Sequence, residues 1–231
     1  MQPRSRRCSP RAGVSSEVRL YRPEDRAAVR EIAWGTGFMG ESPEWYWRDR
    51  RSFEEIWTRY YTDQEPESLL VATRDEQVVG YLTGCVDTAH APSPKQAVLR
   101  QLLRRALLFR PGTAGFFWRA FADSLRHPNV PDGEIADPRW PAHLHINLLP
   151  EGRGCGLGCA LMQRWLQMLR AQRVPGCHLG TLSENERGVA FFTRMGFREY
   201  GNPVLAPGMR MPGGSPIHLQ LMVIDLEDST A

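Results

Sequence analysis

The spacing of apolar positions changes along the chain, and each change marks a predicted strand or helix. Glu17 to Tyr21 alternates and predicts a first strand. Pro23, Glu24 and Asp25 suit the first turn of a helix running to roughly Ala33, because proline fits there and acids favour the N-terminal end of the dipole. Ser42-Pro43-Glu44-Trp45 reads as the start of a second helix, rich in Trp and Tyr, ending near Tyr61. Ser68–Thr73 and Gln77–Val86 predict a hairpin turned by Arg74-Asp75-Glu76. Lys95–Phe109 and Thr113–Arg126 have helical spacing, with Arg110-Pro111-Gly112 between them, and the four prolines within 127–141 predict a loop.

Ala142–Leu149 reads as a buried strand closed by Pro150, followed by a glycine-rich turn and a helix from Gly156 to about Gln172. Leu157, Leu161, Trp165, Met168 and Leu169 fall on one face of that helix. Gly176–Leu182 predicts another strand. Ser183 with Glu186 forms a capping-box pattern for a helix to Arg194, closed by Gly196. Phe197–Tyr200 and Ile217–Leu226 predict the last strands, with Pro203–Pro216 as a loop between them. The expected organisation is a disordered basic tail over 1–16, then one domain over 17–231 with a two-helix insertion at about 92–140.

With 231 residues, a formal charge of +3, 42% hydrophobic and 24% charged residues, the chain can bury a full core. Of 29 basic residues other than histidine, only Lys95 is a lysine. It follows Pro94, so no lysine-dependent phosphate loop can form, and a Schiff-base enzyme would have Lys95 or nothing. No run reaches the roughly 18 apolar residues of a membrane span. The tail carries Arg4, Arg6, Arg7 and Arg11 without an apolar stretch behind them, unlike a secretory signal, and an organellar transit peptide is the sharper alternative. The five cysteines lack metal-ligand spacing, so no metal is expected, and they read as reduced thiols of a cytoplasmic protein. Acids and arginines interleave, so neither nucleic acid nor membrane is an expected partner.

The strongest chemical signal is Glu151-Gly-Arg-Gly-Cys-Gly-Leu-Gly158, set between a buried strand and an amphipathic helix. Such a turn offers backbone N–H groups and the helix dipole to a phosphate. The dinucleotide pattern G-x-G-x-x-G fails, because Leu157 or Cys159 stands where the third glycine belongs. Arg153-Gly-Cys-Gly156-Leu-Gly158 fits R/Q-x-x-G-x-G/A instead, and here the sequence resembles the GNAT superfamily of acyl-CoA N-acyltransferases. Asn185 to Phe197 is similar to that family's second signature, N-x-x-A-x-x-F-Y-x-x-x-G-F, with small shifts. Taken together, HLHINLLPEGRGCGLG and LGTLSENERGVAFFTRMGF resemble the bacterial acetyltransferases related to the acetyltransferase-like domain of O-GlcNAcase.

The resemblance implies an α/β fold with a mixed, mostly antiparallel sheet flanked by helices, and acetyl-CoA as co-substrate. It implies that backbone groups near Leu148 and Leu149 pair with the pantetheine arm. Arg153, Gly154, Cys155, Gly156, Leu157 and Gly158 would wrap the pyrophosphate with main-chain amides, Asn185 would hydrogen-bond the pantetheine, and Phe192 would lie beside it. Many family members carry a tyrosine at the position of Phe192 that protonates the departing thiolate; here Tyr200 or water would have to serve.

Amine acylation also needs a proton acceptor. His143, His145 and Asn147 share one face of their strand by the two-residue period, and His145 is the better base candidate; sheet histidines satisfied by their neighbours are the plainer reading. Asp87 could bind or orient a cationic acceptor, or serve only its turn. The resulting expectation is an acetyl-CoA-dependent N-acetyltransferase acting by direct attack of a primary amine on a small-molecule or peptide acceptor. A non-catalytic acetyl-CoA-binding protein and an O-acyltransferase are the alternatives. The insertion is expected to act as a lid or as a homodimer face, with Arg100, Arg104 and Arg105 on a solvated helix surface.

Overall fold

The computed structural model describes residues 15–90, 94–127 and 135–226, so the predicted tail up to residue 14 and the Lys95 side chain lie outside the described features. Seven strands form one sheet: β1 (Ser16–Leu20), β2 (Leu69–Arg74), β3 (Gln77–Cys85), β4 (Ala142–Leu148), β5 (Gly176–Leu182), β6 (Arg198–Arg210) and β7 (Pro216–Asp225). Their order is β1-β2-β3-β4-β5-β7-β6, and every neighbouring pair is antiparallel except β4 and β5. Parallel strands need a crossover, which α5 (Leu157–Ala171) supplies.

Alternation along β2 sorts two cores. Leu70 and Ala72 join Leu82, Leu144, Leu161 and Trp165 under α5, whereas Leu69 and Val71 meet Val29, Ile32 and Ala33 of α1 (Arg26–Thr36). Gly84 is what lets the Trp165 indole lie on the sheet, since a Cβ there would come within 2.4 Å of the ring.

The departures from the sequence expectations have local causes. Ser42 caps only a short turn over Pro43–Trp45, and α2 (Arg50–Asp63) starts separately because Asp49 accepts the Ser52 N–H at 2.9 Å. Next, α3 (Pro94–Arg105) stops before Ala106, which has a positive φ of 48°, and Leu107–Phe109 makes a separate turn before α4 (Ala114–Arg126). Helix α6 (Glu186–Arg194) is capped by Asn185, which accepts the Gly188 N–H; Ser183 instead bonds the His218 carbonyl and Glu184. The expected loop over Pro203–Pro216 is largely strand. As a sheet edge with register shifts, β6 accommodates Pro203 and Pro207, which would break a central strand.

The insertion is tied down by carboxylates. Asp49 accepts from Arg105 and pairs with Arg110, while Asp123 of α4 takes the Gly208 N–H and the Arg210 guanidinium. Arg105 therefore leaves the solvated surface assigned to it, whereas Arg100 and Arg104 remain exposed.

Candidate active site

Strands β4 and β5 pair only at Ala142–Cys177 and His143–His178, and beyond these they diverge. A cavity of about 540 Å³ opens in the fork. The Leu149 N–H is occupied by the Val79 carbonyl at 2.9 Å, so backbone alternation turns the polar groups of Leu148 and Ile146 away from β3, towards the fork. Leu144 and Ile146 line the cavity although their side chains pack in the α5 core, which leaves their backbone as the exposed surface. Of the two residues expected to meet a pantetheine arm, Leu148 faces the fork and Leu149 is bonded into the sheet.

The glycine turn follows directly. Gly154 and Gly156 have φ of +73° and +88°, in the left-handed region that glycine favours, and a Cβ on either would meet no atom within 4 Å. Gly156 is the N-cap of α5 and no side chain among the described residues caps the helix, so its first N–H groups, from Leu157 onward, are available to an anion. The Cys155 thiol donates to the Gly152 carbonyl, and Gly158 has room for a Cβ in ordinary contact with Leu148 and Phe191. Arg153 has a role the sequence did not show. Its Nε donates to the Leu148 carbonyl at 2.9 Å and its Nη2 to the Gly40 carbonyl at 2.7 Å, clasping the α1–α2 connection to the end of β4.

His143, His145 and Asn147 do share one wall of the cavity, as the two-residue period required. His143 is fully engaged: Nε2 lies 2.7 Å from the Tyr61 hydroxyl and Nδ1 2.8 Å from the Thr88 hydroxyl. Thr88 gives its proton to the Pro141 carbonyl at 2.7 Å, so Nδ1–H donates to Thr88 and Nε2 accepts from Tyr61. In His178, Nδ1–H donates to the Trp140 carbonyl at 2.7 Å. Asn147 is held by Thr36, at 2.6 Å to its hydroxyl. His145 has no hydrogen bond to its ring among the described residues; it sits beside Trp57, 5.4 Å between ring centroids, and 5.7 Å from His143.

All three imidazoles are held neutral. Burial lowers the pKa of His143 well below the usual value, with His145 and His178 adding like-charge opposition. Burial and then His178 bring His145 down to about 4. Burial also lowers His178, against the opposing pull of the Trp140 carbonyl.

The remaining walls come from elements far apart in sequence: Phe53 and Trp57 of α2, Phe116 of the insertion, Met209 of β6, and Tyr46. Asn185 and Phe192 line the same cavity beside β5. Leu148, Leu149 and the turn from Arg153 to Gly158 are not among the residues that line it, and two further expected site residues lie elsewhere. The Asp87 carboxylate accepts the Ala89 N–H at 3.0 Å in its own turn and does not line the cavity. Tyr200 packs on Trp140, 5.2 Å between ring centroids, in a cluster with Ile135 and Val223, also away from the cavity.

Residues 112–197, which hold the fork, the glycine turn and α6, match the model of the acetyltransferase (GNAT) family. Over that segment, a little more than a third of its length, the chain is similar to the GNAT acetyltransferases. The solved structure of SsHAT is 26% identical with a TM-score of 0.61, covering 93% of this chain and all of that one. Two further structures share the fold. The Salmonella typhimurium protein yncA, solved with acetyl-CoA, has 16% identity and a TM-score of 0.58 over 94% of this chain and 96% of its own. The Brucella melitensis ribosomal-protein-alanine N-acetyltransferase has 18% identity and a TM-score of 0.56 over 90% and 99%. The chain thus has an acyl-CoA N-acyltransferase fold, with helices on both sides of a mixed sheet. The Trp- and Tyr-rich second helix of the sequence reading supplies Trp57 to the cavity and Tyr61 to His143, whereas Phe116 and Met209 escaped that reading because only the tertiary fold brings them to the wall.

Proposed function

We propose that this acetyltransferase moves an acetyl group from acetyl-CoA to a primary amine by direct attack, within the group related to the acetyltransferase-like domain of O-GlcNAcase. The observation that carries the reading is the β4–β5 fork, with the backbone of one arm turned away from β3 and followed directly by a glycine turn and a helix N-terminus. These features suit acetyl-CoA: the Ile146 backbone and the Leu148 N–H can extend the sheet onto an amide-bearing arm, the Leu148 carbonyl being held by Arg153, and the amides from Cys155 to Gly158 can receive a pyrophosphate. Asn185, already fixed by Gly188, can bond the arm from the other side.

When bound, acetyl-CoA supplies a thioester whose carbonyl carbon takes the new C–N bond while the C–S bond breaks with its electron pair leaving on sulfur. The chain's own part is to orient and to move protons. His145, neutral and unengaged at the cavity wall, accepts the proton shed by the attacking nitrogen, directly or through water. A base of such low pKa serves only once the nitrogen has become acidic through bonding to carbon. Phe192 has no hydroxyl and Tyr200 is remote, so of the donors the sequence offered only water is left to protonate the sulfur.

Titration calorimetry tests the reading first: acetyl-CoA should bind and NADH should not. Failure of folded protein to bind acetyl-CoA overturns it. His145→Ala should then lower acyl transfer by about a hundredfold, in the range of a lost general base, without weakening acetyl-CoA binding. An unchanged rate would remove His145 from the mechanism.

A further inference from the structure

The acceptor side of the cavity is defined as much by what its walls omit as by what they hold. Among the described residues that line it there is no Asp, Glu, Lys or Arg. The sequence had offered Asp87 as a counter-charge for a cationic acceptor, and the fold uses that carboxylate in a turn. Much of its lining is aromatic and sulfur-bearing, Tyr46, Phe53, Trp57, Phe116, Met39 and Met209, beside uncharged polar groups such as Thr36 and Thr181. Tyr46 and Phe116 lie 5.4 Å apart between ring centroids, and Trp57 keeps 40% of its surface open.

We propose that the acceptor is an aromatic amine, uncharged at neutral pH, seated against Trp57, Tyr46 and Phe116 with its nitrogen towards His145; this rests on the acetyltransferase reading above. An alkylammonium entering this space would lose its hydration and find no carboxylate to replace it, which is costly. The neutral histidines report the same environment, because the burial that keeps protons off the imidazoles also disfavours an ammonium beside them. Aromatic faces can hold a cation, but they would hold the protonated form, which has no lone pair with which to attack. In an arylamine the nitrogen lone pair is shared with the ring, so the group is already neutral at pH 7 and needs no base before attack. The new C–N bond then makes its N–H acidic enough for a base as weak as His145. The acetyl group replaces one N–H, whose proton leaves through His145 or water, and sulfur receives one proton from water, so the reaction balances as amine plus thioester giving amide plus thiol. The cavity volume suits one ring beside the reacting thioester.

The test compares aniline with cyclohexylamine, rings of similar size that differ in charge, together with spermidine. Acetyl-CoA-dependent thiol release is followed at about pH 7.5, after calorimetry has shown acetyl-CoA binding by the same preparation. Aniline should exceed cyclohexylamine in kcat/KM by at least a hundredfold, since an alkylamine resembling lysine is neutral to only about one part in a thousand there. Aniline turnover should also be flat between pH 6.5 and 8.5, while any cyclohexylamine turnover rises with pH. Trp57→Asp, at a half-open position, should cut aniline efficiency at least tenfold and raise that of cyclohexylamine while retaining acetyl-CoA binding. Equal or better use of cyclohexylamine or spermidine, or no turnover of aniline by protein that binds acetyl-CoA, overturns the proposal while leaving the acetyl-CoA reading in place. Failure to bind acetyl-CoA brings down both.

Discussion

Gly156 and Gly158 are two residues apart in the same turn, yet the structure assigns them opposite tolerances. At φ +88°, Gly156 occupies a conformation that costs an L-residue about 1–2 kcal/mol, and it orients the amides at the start of α5. Gly158 is already helical, and a Cβ there meets Leu148 and Phe191 at an ordinary 3.6 Å. Gly156→Ala is therefore expected to weaken acetyl-CoA binding about tenfold and to destabilise the fold by the backbone cost. Gly158→Ala should preserve binding and gain roughly 0.5 kcal/mol, because alanine loses less entropy than glycine in a helix. Calorimetry and urea midpoints on the two variants separate these outcomes, and equal losses in both would contradict the assignment. The G/A choice at the last position of the R/Q-x-x-G-x-G/A pattern then has a physical reason, namely space for one methyl group without backbone strain.

At the scale of elements, the fork depends on how its mouth is held open. Arg153 joins the end of β4 to the connection between α1 and α2 through carbonyls at Leu148 and Gly40, contacts that depend on geometry as well as charge. Arg153→Ala should cost about 2 kcal/mol, the usual range for losing charged hydrogen bonds, and Arg153→Lys should restore only part of it. Urea unfolding checks the stability, and a fall in acetyl-CoA affinity of about tenfold checks the coupling; an affinity unchanged in Arg153→Ala would mean that the clasp does not shape the site. Such a clasp is invisible in sequence, where Arg153 and Gly40 are distant. What could be read were features written into adjacent residues: the strands over 142–148 and 176–182, the amphipathic α5, the glycine turn, and the shared face of His143 and His145. Reading failed where tertiary context decided. The prolines of 203–207 suggest a loop until an edge position makes them harmless, and Ser183 loses the cap of α6 to Asn185 because it is engaged with the carbonyl of His218. Tyr200 and Asp87 are plausible in chemistry alone, and packing sends both away from the cavity.

Across the whole molecule, the neutrality of the site and the stability of the fold are one property seen twice. His145, His143 and His178 form a row of rings, 5.7 and 5.9 Å apart in successive pairs of centroids, which links the cavity wall to β5. Burial lowers the pKa of each in the fold, whereas in the unfolded chain each titrates near 6.5. Below about pH 6.5 the unfolded chain therefore binds protons that the folded chain refuses, so stability must fall as pH falls. Each histidine contributes up to about 1.4 kcal/mol per pH unit at full difference, and the window for His145 closes near its folded value of about 4. Asp25, Asp49 and Asp123 are also lowered in the fold, held by arginine partners, so their stabilisation is lost only as pH drops through the carboxylate range and leaves the interval from 6.5 to 5 to the histidines. Urea midpoints should fall steadily from pH 7 to 5, and proton uptake on unfolding at pH 5.5 should exceed one. His143→Gln, which keeps a group able to bond Tyr61 and Thr88, should lower stability at pH 7 yet flatten that slope. A midpoint constant from pH 7 to 5 would mean that the imidazoles ionise freely in the fold, and the cavity would then tolerate a charged acceptor as well.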